Sequence, residues 1–151
     1  MTTPSITKLL TWKKNKEWTS KWFQVDQELI NSFAKLTYDS QFIHINPNKA
    51  KDTDYGTTIA HGFLTMSLLS AMYYDAIPKT DGLKMGINIG FDKLRFLAPV
   101  KSNDRIRGIF RLSNITEKNP NIIRLSWSTK IEIEGNAKPA LLATWIERQY
   151  F

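Results

Sequence analysis

The stretch HGFLTMSLLSAMYYDAI, residues 61–77, decides the architecture. Phe63, Leu64, Met66, Leu68, Leu69, Ala71, Met72 and Ala76 make it almost uniformly apolar, and it is long enough for about four helical turns. It predicts a helix from Gly62 to about Ile77, buried on most of its surface. Pro78, Asp81 and Gly82 end that helix, and everything after them carries strand signals. The strands are expected at Met85–Leu97, Asp104–Thr116, Ile122–Glu134 and Ala137–Arg148. They are separated by Pro99 with Asn103, by Asn119 with Pro120, and by Gly135 with Asn136, all three read as hairpin-like connections. One buried helix followed by a four-stranded antiparallel meander is an α+β layout in which the sheet wraps the helix.

Working outward, a first strand is expected over Lys21–Val25. Asp26 has the chemistry of an N-cap, and Leu29, Ile30, Phe33, Ala34 and Leu36 recur at helical spacing, so a helix should run from Gln27 to Leu36. Residues 40–60 hold Asn46, Pro47, Asn48 and Gly56, which suggests an irregular stretch with one short helix over Pro47–Lys51. No linker, repeat or low-complexity tract interrupts the chain. The expected organisation is an N-terminal extension over residues 1–20 and one domain over 21–151.

The 151 residues include no cysteine, which excludes disulfide frameworks and thiolate chemistry. Only His44 and His61 could offer imidazole, too few for a histidine-rich zinc site, so no metal is expected. No apolar leader or membrane-length run is present, and the expected location is the cytoplasm. The net charge of +7 could serve nucleic acid, a membrane surface or a phosphate-bearing ligand. Lys8, Lys13, Lys14, Lys16 and Lys21 cluster near the N-terminus and Arg105, Arg107 and Arg111 alternate along a strand, each cluster readable as a solvated face; Trp12, Trp18, Trp22 and Phe23 stand in no nucleic-acid-binding motif, and neither nucleic acid nor membrane is expected as a partner.

The chemistry-bearing stretch is FAKLTYDSQFIHINPNKAKDTDYGTTIAHGFLTMSLLS, residues 33–70. Asp39 and His44 stand five residues apart after a helix, where an acid and an imidazole could converge on one water; each could equally be a turn former or a structural residue. Gly62 begins the buried helix, where an unpaired backbone N–H can receive a developing oxyanion, or where glycine serves only tight packing.

These residues resemble the MaoC-like (R)-specific enoyl-CoA hydratases, and within them the NodN-like dehydratases. Their pattern reads approximately FA-x-x-TGD-x-QWIH-x-DP-x-x-A, then GTIAHG-(F/Y)-LT-x-SLL. The matching letters are Phe33, Ala34, Thr37, Asp39, Gln41, Ile43, His44, Pro47 and Ala50, then residues 58–65 and 67–69. The likeness continues through MGINIGFDKLRFLAPV, residues 85–100, and EIEGNAKPALLATW, which ends at Trp145. It covers about residues 20–150. Two departures stand out: Tyr38 replaces the glycine before the aspartate, so a backbone conformation easy for glycine falls to a bulky residue, and Phe42 replaces the tryptophan.

The resemblance implies a hot-dog fold, a curved antiparallel sheet around a long central helix. It implies that Asp39 and His44 hold the water that adds to a trans-2-enoyl thioester, giving the (R)-3-hydroxyacyl thioester, or that the reverse dehydration occurs. Gly62 N–H would polarise the thioester carbonyl. Ser70 matches a serine that supports the aspartate, or is simply small within a packed helix; Asn88 would line the site from its strand, or have only a structural partner. No cofactor is implied beyond the coenzyme A or acyl carrier protein that carries the substrate. The expected assembly is a homodimer or dimer of dimers with sheets joined edge to edge, with Lys93, Arg95, Arg105 and Arg107 as phosphate-binding candidates by charge alone. A non-catalytic acyl-thioester or acyl-carrier-protein binding module, and a hot-dog thioesterase, are the alternatives.

Overall fold

The computed structural model describes Leu9, Trp12 and residues 16–151. Its elements are β1 (Glu17–Thr19), β2 (Phe23–Val25), α1 (Gln27–Thr37), α2 (Phe42–Ile45), α3 (Pro47–Ala50), α4 (Gly62–Ser67), α5 (Leu69–Ala76), β3 (Met85–Phe96), β4 (Asp104–Asn119), β5 (Ile122–Ile133) and β6 (Leu141–Tyr150). Asp26 caps α1 as its chemistry suggests, its Oδ1 accepting from Leu29 N–H at 2.8 Å. Asn46 Oδ1 likewise accepts from Lys49 N–H at the start of α3, with Pro47 in the first turn.

The central helix is α4 followed by α5. The hydrogen-bond ladder runs through the junction at Leu68, whose N–H reaches Leu64 O at 3.1 Å and whose carbonyl accepts from Met72 N–H at 3.0 Å. The expectation of burial on most of the surface is corrected. Leu64, Leu69, Met72 and Tyr73 are buried against the sheet, while Phe63, Ser67, Ala71 and Tyr74 face outward, because the sheet covers only one side of the helix. Where the helix meets β4 the approach is close: a Cβ on Gly108 would lie 2.9 Å from Met72 Cβ and 2.7 Å from the Phe110 ring.

The strand order is β1-β4-β5-β6-β3, all antiparallel, with β2 also pairing with β4. This corrects the expected meander. Turns over 120–121 and 134–140 are hairpin connections, but β3 lies at the far edge beside β6, and residues 97–103 cross about 14 Å of sheet, three strand spacings, to reach β4. The crossing segment makes its own contacts: Ala60 N–H donates to Val100 O at 2.7 Å, Ser102 N–H to Thr58 O at 2.9 Å, and Leu97 N–H to Ala140 O at 2.9 Å. β6 starts at Leu141 rather than Ala137, because Asn136 Oδ1 turns the chain by accepting from Lys138 N–H and Pro139 has no N–H to give.

The packed domain also begins earlier than residue 21. The expected strand over Lys21–Val25 is two short strands, and β1 precedes it, with Trp18 opposite Phe110 of β4. Leu9 is fully buried, and the rings of Trp12, Trp18 and Trp127 lie 5.1–6.1 Å apart. Lys8, Lys13 and Lys14 of the basic cluster lie outside the described residues.

One polar group sits inside this core. Glu147 of β6 accepts from Tyr73 Oη at 2.7 Å, Trp127 Nε1 at 3.0 Å and Gln149 Nε2 at 3.0 Å. Burial pushes its carboxyl above the ordinary carboxylate value, against the opposing pull of those donors.

If residues before 21 are part of the fold, Trp18→Ala should destabilise the protein by about 3–5 kcal/mol, as truncation of a buried aromatic does. Urea denaturation of the variant checks this; a change below about 0.5 kcal/mol, typical of an exposed site, would return Trp18 to a dispensable extension.

Candidate active site

Three chain segments meet at one point. The first is the C-terminal end of α1. Helix α1 stops because Tyr38 adopts the left-handed conformation, φ 61° and ψ 17°. Tyr38 thus takes the backbone geometry that suits glycine, and its side chain, 93% exposed, is turned into solvent where nothing crowds it. The chain reverses there and presents Asp39, whose carboxylate is exposed.

The second segment is α2, a single turn that sequence reading treated as loop and that carries His44. Gln27, in the first turn of α1, holds this turn in place. Its Nε2 donates to His44 O at 2.7 Å while its Oε1 accepts from Thr58 Oγ1. The third segment runs from Thr58 to Gly62. Ile59 N–H donates to Ile43 O at 3.0 Å, and Ile59 O lies 2.7 Å from His44 Nδ1.

A carbonyl can only accept, so His44 carries its hydrogen on Nδ1, and in the neutral ring Nε2 is left with a free lone pair. The ring is 7% exposed. Burial pushes its pKa below the ordinary 6.5; the Ile59 bond opposes that shift, His61 reinforces it, and Asp39 opposes it. His44 is therefore held as a neutral base beside an acid.

Sequence reasoning placed His61 at the helix start and gave it no task. The structure seats its ring between those of Phe33 and His44, with centroids 5.1 Å and 3.7 Å away and only 25° between the imidazole planes. His61 Nε2 donates to the backbone carbonyl of Asp39 at 2.9 Å, and its Nδ1, in a ring 2% exposed, has no partner among the described residues. Nothing in the linear spacing signals this, because the contact joins positions 22 residues apart.

Asp39, His44 and His61 bring their polar atoms within 4.8 Å of one another, the one such grouping among the described residues. Zinc requires lone pairs that converge at about 2.0–2.1 Å. Here the two rings stack nearly parallel, and one nitrogen of each is engaged by a carbonyl, which leaves each ring a single nitrogen to offer.

Gly62 follows directly. As the first residue of α4 its N–H has no intrahelical acceptor, and it borders a cavity of about 350 Å³ lined also by Ile59, Thr65, Phe96, Ala98 and Val100. A Cβ at this position would come within 3.1 Å of the Phe96 ring, so glycine keeps the backbone accessible. Asp39 and His44 come together with His61, and Gly62 is the next residue along the chain.

Ser70 and Asn88 do not join them. Both line a different cavity, two helical turns further along the central helix, with Tyr73, Glu147 and Gln149. Of the basic candidates, Arg105 and Arg107 are neutralised by Glu134 and Glu132 at about 3 Å and stack over Trp22. Lys93 and Arg95 stay exposed on β3 near Phe96, and among the described residues neither has a carboxylate partner.

Known proteins resemble this chain in sequence and in fold. A family model described as "MaoC like domain" matches residues 12–132. Over 129 residues the chain is 46% identical to nodulation protein N of Rhizobium meliloti (strain 1021), a match covering 85% of this chain and 80% of that protein. It is 40% identical over 129 residues to 3-hydroxyacyl-thioester dehydratase Z of Mycobacterium tuberculosis (strain ATCC 25618 / H37Rv), covering 85% of each. Among solved structures, the (R)-hydratase from A. caviae involved in PHA biosynthesis superposes with a TM-score of 0.73 at 23% identity, over 91% of this chain and 96% of that one. That likeness is one of fold, the hot-dog arrangement of sheet and central helix.

Holding Tyr38 in the left-handed region costs about 1–2 kcal/mol, while glycine loses about 0.4–1 kcal/mol through the freedom of its unfolded chain. Tyr38→Gly should therefore raise stability, by about 1 kcal/mol or less. Thermal denaturation checks the sign, and a clear loss of stability would mean that the exposed phenol has a partner.

Proposed function

The chain belongs to the MaoC-like domain family, and from that membership we propose that it is an enoyl-thioester hydratase. It adds water to trans-2-enoyl thioesters to give (R)-3-hydroxyacyl thioesters, or runs the reverse dehydration. The observation that carries this reading is the neutral His44, its Nε2 lone pair free, beside the Asp39 carboxylate and next to an unpaired Gly62 N–H at a cavity.

In the hydration direction, a water held by Asp39 and His44 gives one proton to His44 Nε2 as its oxygen bonds the β-carbon. The thioester carbonyl gathers enolate charge, and Gly62 N–H stabilises it by donating to that oxygen. His44 passes that proton to the Asp39 carboxylate, which delivers it to the α-carbon, so both groups end as they began and no proton is gained or lost overall. Both groups work from one face, which gives syn addition and the (R) product. His61 positions the other two: its hydrogen bond fixes the Asp39 backbone and its ring supports the face of His44.

The carrier is coenzyme A or an acyl carrier protein, with Lys93 and Arg95, exposed on β3 just before the cavity-lining Phe96, as candidates for its phosphate. A homodimer follows from the open edge at β3, where 12 residues have no partner strand on one side and Met85, Ile87, Ile89 and Phe96 are exposed. Among the described residues no helix is long and apolar enough to cross a membrane.

Loss of the conjugated enoyl absorbance with crotonyl-CoA and longer enoyl-CoAs tests the reading. Asp39→Asn and His44→Ala should each lower kcat by about 10²–10⁴, the usual worth of a positioned acid or base, and chiral analysis should return the (R) product. Saturable acyl-CoA binding without turnover on any coenzyme A or carrier-protein thioester would replace it with a binding role. A second check is the pH profile. His44 must be neutral to act and its pKa is lowered, so kcat/KM should persist as the pH falls past 6.5 and decline only below it. An acid limb at or above 6.5 would assign the base to another group.

A further inference from the structure

Two arginines stand directly opposite each other on the outer face of the sheet. Arg124 of β5 is in register with Arg148 of β6, and both lie on the face turned away from the core, since Ile123, Leu125, Glu147 and Gln149, which alternate with them, are buried. Thr116 of β4 and Ile87 of β3 continue the same row on either side. Side chains so placed have Cβ atoms about 4.5–5.5 Å apart, and like charges there repel. The other arginines of this face show how the fold settles such a charge when it is only structural: Arg105, Arg107 and Arg111 meet the carboxylates of Glu134, Glu132 and Glu17 at 2.8–3.0 Å.

Arg124 and Arg148 have no such partner. Among the described residues no carboxylate pairs with either, and neither side chain makes a hydrogen bond. Residues 1–8, 10, 11 and 13–15 contain no Asp or Glu, so the rest of the chain has no acidic side chain to lend them. Both side chains are half-buried, and the Nε of each is closed off without an acceptor, so a ligand can meet them only at the Nη atoms, which are not closed off. Two guanidinium forks thus present a double positive charge at one point of the surface. A single carboxylate would neutralise half of it. A phosphate monoester carries about two negative charges at pH 7 and three strong acceptor oxygens, enough to serve both forks at once. The hydroxyls of Thr116, opposite Arg124, and Ser126, two residues further along β5, stand beside the pair as further donors.

We propose that Arg124 and Arg148 bind the phosphate group of a small phosphate monoester. The site is separate from the cavity at Gly62. Ile87, opposite Arg148, and Phe96, which lines that cavity, are nine residues apart along β3, up to about 30 Å, and Phe96 pairs with the buried Leu141 on the other face of the sheet. The inference therefore does not depend on the hydratase reading. The 3′-phosphate of coenzyme A and a free phosphorylated metabolite offer the same dianion, and the two are separated by experiment.

Calorimetric titration of inorganic phosphate into the full chain, with ionic strength held constant by chloride, tests it without requiring turnover. The wild type should bind phosphate saturably at one site per chain. Arg124→Gln and Arg148→Gln should each weaken that binding about tenfold or more, while Arg105→Gln, which removes an arginine already paired, should leave it unchanged. Phosphate should also raise the melting temperature of the wild type and of Arg105→Gln but not of the other two variants, whose own melting transitions confirm that they fold. An absence of saturable binding at millimolar phosphate, or binding that Arg124→Gln and Arg148→Gln both keep, would overturn the proposal. Adenosine 3′,5′-bisphosphate identifies the source. Binding about tenfold tighter than that of inorganic phosphate, lost in both variants, assigns the site to coenzyme A, and no gain over inorganic phosphate assigns it to a free phosphorylated metabolite.

Discussion

The site depends on one short antiparallel contact, where the segment crossing from β3 to β4 lies against the strand-like run before the central helix. Ala60 N–H to Val100 O and Ser102 N–H to Thr58 O are its two ties, and Ile59 sits between them paired with Lys101. With Thr58 and Ala60 held from one side, Ile59 is free to use both its N–H and its carbonyl on the other, toward Ile43 and His44. The next two residues are His61 and Gly62. A single backbone alignment thus sets the tautomer of one imidazole, the position of a second and the height at which the helix begins.

The paired histidines show how a protein can bury two titratable rings at modest cost. Each gives its one N–H to a backbone carbonyl, so neither enters the interior with an unsatisfied donor. Stacking at 3.7 Å makes a second positive charge there unfavourable, and desolvation pushes in the same direction for His44. The nearby carboxylate of Asp39 pulls the other way but is exposed, and its influence is screened by solvent. Burial wins, and the ring rests in the form that can accept a proton.

Much of this was legible in the sequence because it was written in local patterns. The apolar run from Phe63 to Ala76, the capping chemistry of Asp26 and Asn46, and the four long strands all follow from spacing and side-chain type. Asp39, His44 and Gly62 were found through a family pattern rather than through spacing alone. What was missed depends on pairing, which linear order does not encode. Pro99 and Asn103 look like hairpin punctuation, yet they bound a crossing. Arg105 and Arg107 read as free cations until the register sets Glu132 and Glu134 across from them. Lysines near the N-terminus hid the fact that Leu9, Trp12 and Trp18 belong to the core. Ser70 and Asn88 entered through the family pattern, whereas the strand register sets Asn88 opposite Glu147 and both residues line the cavity beside it.

The two margins of the sheet are unequal. On the β4 side, two three-residue strands share the margin and stop short of its length, while β3 presents an unbroken 12-residue margin bent at Gly90 and Lys93. Copies that paired through β3 about a two-fold axis would cover its exposed isoleucines, which keeps that strand from templating further chains.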